Sequence, residues 1–240
     1  NNITEAHHYG DSHTASTYIG PTAGIISENN LVLDAAQDIN IVGAKLKAGG
    51  SAVLEAGNDI NIETIQDKRA TTSTSRDGKT TTNVQSTTHI GSQIDIGGDA
   101  YLKTGNDVVI SGSEVNVGGS FVADTGGDFK LVSVQDTVQT NTESSKSGFG
   151  VGGGLWGSQT TQTNEFIGTN KASTLNVGGV VDIASENKVV IEGSDINVSS
   201  SGMSRIHGAK GVDILDGKDE YSKETTVTTT TFLKLENDSS

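Results

Sequence analysis

The chain is 240 residues long, with 32% hydrophobic and only 4% aromatic residues, 31 glycines and no cysteine. Its 30 Asp and Glu against 16 Lys and Arg give a formal charge of −14, which opposes binding to nucleic acid or to an anionic lipid surface, and without cysteine no disulfide forms. So few large apolar side chains would leave a compact sandwich poorly filled, whereas a coiled solenoid needs only small aliphatic residues pointing inward and places glycine at its corners.

The chain opens on Asn1 and polar, strand-like sequence, and residues 1–24 are expected to be the returning half of an arm cut short. His7, His8 and His13 lie there, but nothing supplies further ligands at a defined spacing, so a solvated arm is expected rather than a metal site. From residue 25 to 218 one phrase of about 21 residues recurs, fullest in Gly49-Gly50-Ser51-Ala52-Val53-Leu54-Glu55-Ala56-Gly57-Asn58-Asp59-Ile60-Asn61-Ile62. Apolar residues alternate in it with polar or small ones. No single copy can bury its apolar side, so the copies must stack.

Asp38 and Asp59 are 21 residues apart, as are Asp107 and Asp128; Lys188 takes the same place in the next copy, and a degenerate last copy runs through Ser201-Gly202 to Val212-Asp213-Ile214. Six copies of three short strands each predict an all-β fold, a parallel β-helix of about six coils. Stacking the copies creates inward columns. The first holds Leu33, Leu54, Leu102, Ala123, Ile183 and Ile206; the second holds Ile41, Ile62, Ile110, Leu131, Ile191 and Ile214. A third holds Leu46, Ile94, Val115, Leu175 and Ile196, followed two residues on by Ala48, Ile96, Val117, Val177 and Val198. With coils about 4.8 Å apart the stack is roughly 29 Å long, and each fully buried aliphatic contributes about 1.5–3 kcal/mol. Outward Asn40 and Asn61, and Asn116, Asn176 and Asn197, are placed to form structural amide ladders.

Two stretches interrupt the repeat. Residues 68–89 are Thr-rich around Asp77-Gly78, which predicts a hairpin arm with a tight turn. Residues 137–174 follow Val134-Gln135-Asp136, an echo of Ile65-Gln66-Asp67, and are expected to form a longer and looser arm. At its centre Phe149, Leu155 and the sole Trp, Trp156, flank a glycine run; they either pack against the arm or the coil or form an exposed contact surface. Residues 219–240 leave the coil again and read as the outgoing half of a further arm.

Little chemistry is legible. Asp38, Asp59, Asp107 and Asp128 stand at turn positions where Asp caps backbone amides, and no calcium-solenoid phrase, zinc spacing, catalytic triad or phosphate loop is present. Arg205 and His207 flank Ile206 without an acid in register. No cofactor, metal or catalytic role is therefore expected.

The phrases Ala56-Gly57-Asn58-Asp59-Ile60-Asn61-Ile62 and Gly112-Ser113-Glu114-Val115-Asn116-Val117-Gly118-Gly119 resemble the haemagglutinin repeats of filamentous haemagglutinin and of contact-dependent growth inhibition effectors. Thr-rich interruptions entered from Gln-Asp, and the Ser147 to Gly150 stretch, are similar to the second repeat region of those exoproteins, while Lys188 and Ser201-Gly202 depart from the repeat. The resemblance implies a right-handed β-helical filament, secreted or held at the bacterial surface and exported through an outer-membrane two-partner transporter. It further implies a role in adhesion or contact-dependent toxin delivery, with a host or neighbouring-cell surface, protein or glycan, as partner beside the flanking parts of the same exoprotein. An alternative reading is a carbohydrate-binding or carbohydrate-cleaving β-helix that uses Asp107, Asp128 and Arg205.

Overall fold

A computed structural model of the chain describes residues 2–9, 12–20 and 22–233. Three parallel six-stranded sheets form the walls of a β-helix, and a fourth, seven-stranded sheet stands outside it. Each coil takes one strand from each wall, as in Lys45–Ala48, Ala52–Ala56 and Ile60–Glu63, before the chain climbs to the next.

Cross-coil pairing places like on like. In one wall Leu33, Leu54, Leu102, Ala123, Ile183 and Ile206 are successive partners. In the next, Ile41, Ile62, Ile110, Leu131, Ile191 and Ile214 are. The third runs from Ile25, which the repeat pattern does not include, through Leu46, Ile94, Val115 and Leu175 to Ile196. Leu54, Leu102, Ile62, Ile110 and Ile183 are buried to within 3%, Ile41 and Ile191 to within 8%. Leu33 is partly buried against the same core. Ile214, in the last described coil, has a neighbour on one side only and is exposed.

Small aliphatics do not fill the interior alone. Phe121 and Phe129 are also buried, edge to face with ring centroids 6.2 Å apart. Phe121 stacks between Ala100 and Val181 and Phe129 between Val108 and Val189, so each large ring lies next to a smaller side chain in its column. Large-against-small packing keeps the lumen at interior density.

Glycine is needed at one corner for approach rather than for dihedral freedom. A Cβ on Gly97 would lie 2.4 Å from the carbonyl oxygen of Gly49, and one on Gly118 2.4 Å from that of Gly97. Any side chain there would push successive coils apart. At another corner Gly43, Gly112 and Gly193 take positive φ of 54–55°, the left-handed region open to glycine.

The coils run in pairs. Ile65–Thr74 and Thr80–Ile90 leave after the second coil, Val134–Gly148 and Trp156–Lys171 after the fourth, and Glu220–Leu233 after the sixth. Each hairpin is two strands, about 9.6 Å, wide, which is the height of two coils. Successive arms therefore meet edge to edge and pair antiparallel into one sheet, instead of projecting singly.

Two expectations are corrected. Residues 2–19 are not a single returning strand: Asn2–Tyr9 and Ser12–Ile19 pair antiparallel, Asn2 opposite Ile19, as a hairpin that joins the first arm through Ser12–Ser16. The second arm is longer than the first but not looser. Its strands stay in register from Val134 opposite Lys171 to Gly148 opposite Gly157, because rows of β-branched Thr and of Asn in neighbouring strands support it on both sides.

Candidate functional site

The outstanding surface is the seven-stranded sheet, and its anchorage starts from the acids at the entries of the second arm, Asp136, and of the last arm strand, Asp219. Asp136 Oδ1 accepts the backbone N–H of His89 at 2.6 Å and lies 3.1 Å from its Nδ1; Asp219 Oδ1 accepts the N–H of Asn170 at 2.6 Å. Each acid thus holds the returning strand of the preceding arm. Lys171 Nζ donates to the carbonyl of the buried His89 and tightens the same junction. Of the two Gln-Asp entry phrases visible in the sequence, Gln135-Asp136 plays this role, whereas Asp67 Oδ1 in the first is buried without a hydrogen-bond partner, and Asp219 follows Lys218.

Along the arms the side chains form cross-strand rows. Ser73, Thr82, Thr142, Thr163 and Thr225 make one row, and Asn83, Asn141 and Asn164 another. Hydroxyls meet across strands at Thr82–Thr142 and Thr163–Thr225, both 3.4 Å, and at Thr80–Ser144, 3.0 Å. Such rows give a two-sided polar sheet its register without an apolar face.

The second arm carries this sheet outward by 15 residues, about 50 Å. At its tip Phe149 is 77% exposed, Leu155 45% and Trp156 43%. Phe149 and Trp156 pack edge to face at 5.2 Å, and Gly150, Gly152 and Gly153, all at positive φ, make the turn that brings them together. Thr231 Oγ1 donates to the Gly152 carbonyl at 3.2 Å, pinning the turn to the last strand. The rings pack on each other and present their outer surfaces to solvent.

On the coil, the stacked acids are used up in capping. Asp59 N–H donates to Asp38, Asp107 N–H to Asp59, Asp128 N–H to Asp107 and Lys188 N–H to Asp128, at 2.8–3.2 Å. Each acid caps the coil above. Lys130 Nζ bridges Asp107 and Asp128 at 2.9 Å to each. The Lys130 ammonium first, and the Lys188 N–H second, hold the Asp128 carboxyl below the usual aspartate range. A depressed folded value makes this stabilisation complete above the ordinary value of 3.8 and lost as pH falls through the lower folded one. Thermal melts of Asp128→Asn should therefore lose stability less steeply than wild type below about pH 4, with a difference at neutral pH of under about 1 kcal/mol because the pair is part-exposed.

Amide ladders occupy the outer faces: Asn61 donates to Asn40 at 2.9 Å, Asn176 to Asn116 at 2.8 Å and Asn197 to Asn176 at 3.0 Å. Contrary to the expectation that no acid stands in register with it, Arg205 lies opposite Asp182 of the preceding coil and pairs with it at 2.8 Å, while no contact among the described residues joins it to Asp107 or Asp128. No cluster of three metal-ligating side chains occurs among the described residues. The backbone register sets His8 opposite His13, but the side chains of His7, His8 and His13 lie outside the described residues.

Buried serines are what sequence reasoning missed. Ser92 Oγ donates to the carbonyls of Ile41 and Glu63 at 2.9 and 2.8 Å, and Ser173 Oγ to those of Val132 and Ile110 at 2.6 and 3.2 Å. In turn they accept: Ala44 N–H donates to Ser92, Ser92 N–H to Ser113 and Ser113 N–H to Ser173. They satisfy the backbone where the chain turns into the third wall and the arms leave and return. The signal was the repeat itself, since Ser92 and Ser113 stand 21 apart, as do Ser173 and Ser194.

Comparison with known proteins gives the family. The hemagglutinin repeat profile matches residues 5–84 and 74–149. The chain is similar to the tRNA nuclease CdiA of Escherichia coli O6:K15:H31 (strain 536 / UPEC), 46% identical over 54 residues, which is 22% of this chain and 2% of the relative. It is similar also to the Toxin CdiA of Escherichia coli, 40% identical over 57 residues, 24% of this chain and 2% of the relative. The match thus spans only a small fraction of the relatives' length. No solved structure matches. With the profile running over residues 5–149, more than half of the 240, the chain belongs to the hemagglutinin repeat family.

Proposed function

We propose that the chain is a rigid structural segment of a secreted or cell-surface haemagglutinin-like exoprotein, which spaces and presents contact surfaces in adhesion or contact-dependent toxin delivery and performs no chemistry itself. The observation that carries this reading is the arm sheet: a coil held by in-register aliphatic columns supports a sheet whose longest arm reaches about 50 Å and ends in the exposed side chains of Phe149, Leu155 and Trp156. The stacked carboxylates, committed to capping and to Lys130, argue against a glycan-cleaving role. The hemagglutinin repeat family and the similarity to CdiA support export through an outer-membrane two-partner transporter and contact with a host or neighbouring-cell surface.

The test is to change Phe149, Leu155 and Trp156 together to Ser within the exoprotein that contains this segment. Secretion and the β-sheet circular dichroism of the purified segment should be unchanged, while retention on target cells falls by about tenfold or more, as for a truncated aromatic hot spot. Unchanged retention would remove the tip from the contact. Release of reducing ends from a glycan by the purified chain would overturn the non-enzymatic reading.

A further inference from the structure

Building on the tip of the second arm as the contact surface, we propose that its partner is a bilayer surface rich in anionic lipid headgroups. The tip carries the two kinds of group that such a surface takes up, apolar side chains at its end and cations behind them.

Phe149, Leu155 and Trp156 are exposed at the outer end of the sheet. Lys146 stands three residues before Phe149, about 10 Å behind it along the arm. Lys79, whose carbonyl accepts the Ser145 N–H at 2.7 Å, and Arg76 lie at the same level, in the turn of the first arm. All three cations are exposed, and no ion pair among the described residues engages them. Residues 75–80 and 144–162 hold these three cations and one acid, Asp77, and residues 225–233 carry no charge.

An arm that approaches end-on offers its apolar side chains first. These enter the boundary of headgroups and acyl chains by about 5–10 Å, and the cations behind them reach the phosphates on their flexible stems. A polyanionic glycan would pair with the cations but leave the rings in water; a lipid surface takes up both. The chain's charge of −14 opposes such a contact only where that charge is close to it. The coil stands about 40–50 Å behind the tip, several times the screening length of about 8 Å at physiological salt. The arm thus holds the acidic coil away from a surface that its tip attracts.

The test uses the 240-residue chain with vesicles of phosphatidylcholine, alone or mixed equally with phosphatidylglycerol, and reads the emission of Trp156, the sole tryptophan. With the mixed vesicles the emission should shift to the blue and the protein should float with the lipid. Binding should be at least tenfold weaker with phosphatidylcholine alone, and weaker also in about 1 M salt. Arg76→Gln with Lys79→Gln and Lys146→Gln should weaken it at least tenfold, as should Phe149→Ser with Leu155→Ser, which keeps the reporter; circular dichroism should be unchanged in both. Lys45→Gln with Lys47→Gln, on the coil, should leave binding intact. No binding to the mixed vesicles, equal binding to both kinds, or indifference to the three glutamines would overturn the proposal. If the Phe149, Leu155 and Trp156 variant loses retention on target cells while wild type ignores both vesicles, the tip remains the contact and lipid falls as its partner; if retention and vesicle binding are both unaffected by the tip, both readings fall.

Discussion

Ile110→Asp is expected to be the most damaging single substitution in the coil, costing about 3–5 kcal/mol, the range for an uncompensated buried charge. Ile110 is fully buried and is paired in register with Ile62 below and Leu131 above. Ser173 Oγ, which meets the Ile110 carbonyl at 3.2 Å, is already committed to that of Val132 at 2.6 Å. A carboxylate there would have no cation to pair with. It would either remain charged in an apolar stack or take up a proton, and both routes cost free energy. Ile110→Val removes one methylene and should cost only about 0.5–1.5 kcal/mol, so urea titrations of the two variants separate charge from volume. Wild-type-like melting of Ile110→Asp would contradict the inward assignment of this column.

Phe129→Ala is expected to cost about 3–5 kcal/mol, as large-to-small changes of buried rings do. Phe129 is fully buried and holds Phe121 edge to face. Its coil neighbours, Val108 and Val189, are fixed by the backbone ladder and cannot close the void. Because each coil touches only the coils beside it, the loss is local. Hydrogen exchange should accelerate in Glu114–Val132 more than in Lys45–Glu63. Uniform acceleration along the chain would mean that the coils unfold as one unit.

The coil was legible because its cause is periodic. Alternation of apolar residues and the spacing of Asp38, Asp59, Asp107 and Asp128 determine which residues stack, and the columns through Leu54 and Ile62 follow from those two facts. Ile25 and the buried Phe121 and Phe129 were less legible: the first lies before the fullest copies of the repeat, and the rings depend on volume across the lumen, which alternation does not encode. The arms were legible as Thr-rich hairpins around Asp77-Gly78, but their union into one sheet was not. That union depends on the match between hairpin width and coil height, a relation between segments tens of residues apart. Phe149, Leu155 and Trp156 were singled out by residue type with packing and exposure both left open, because the turn at Gly150, Gly152 and Gly153 that gathers them is a backbone property. Asp136 and Asp219 were seen only as marks of entry, because the amides they hold, at His89 and Asn170, belong to the preceding arm.

Because a hairpin is as tall as two coils, growth of such a filament has a natural module: a pair of coils together with one arm. Adding a lone coil would open a strand-wide slit in the outer sheet, and adding a lone arm would crowd it. Gene duplication in this architecture should therefore be tolerated in blocks that keep the two layers in step, so that the length of the coil sets the breadth of the sheet beside it.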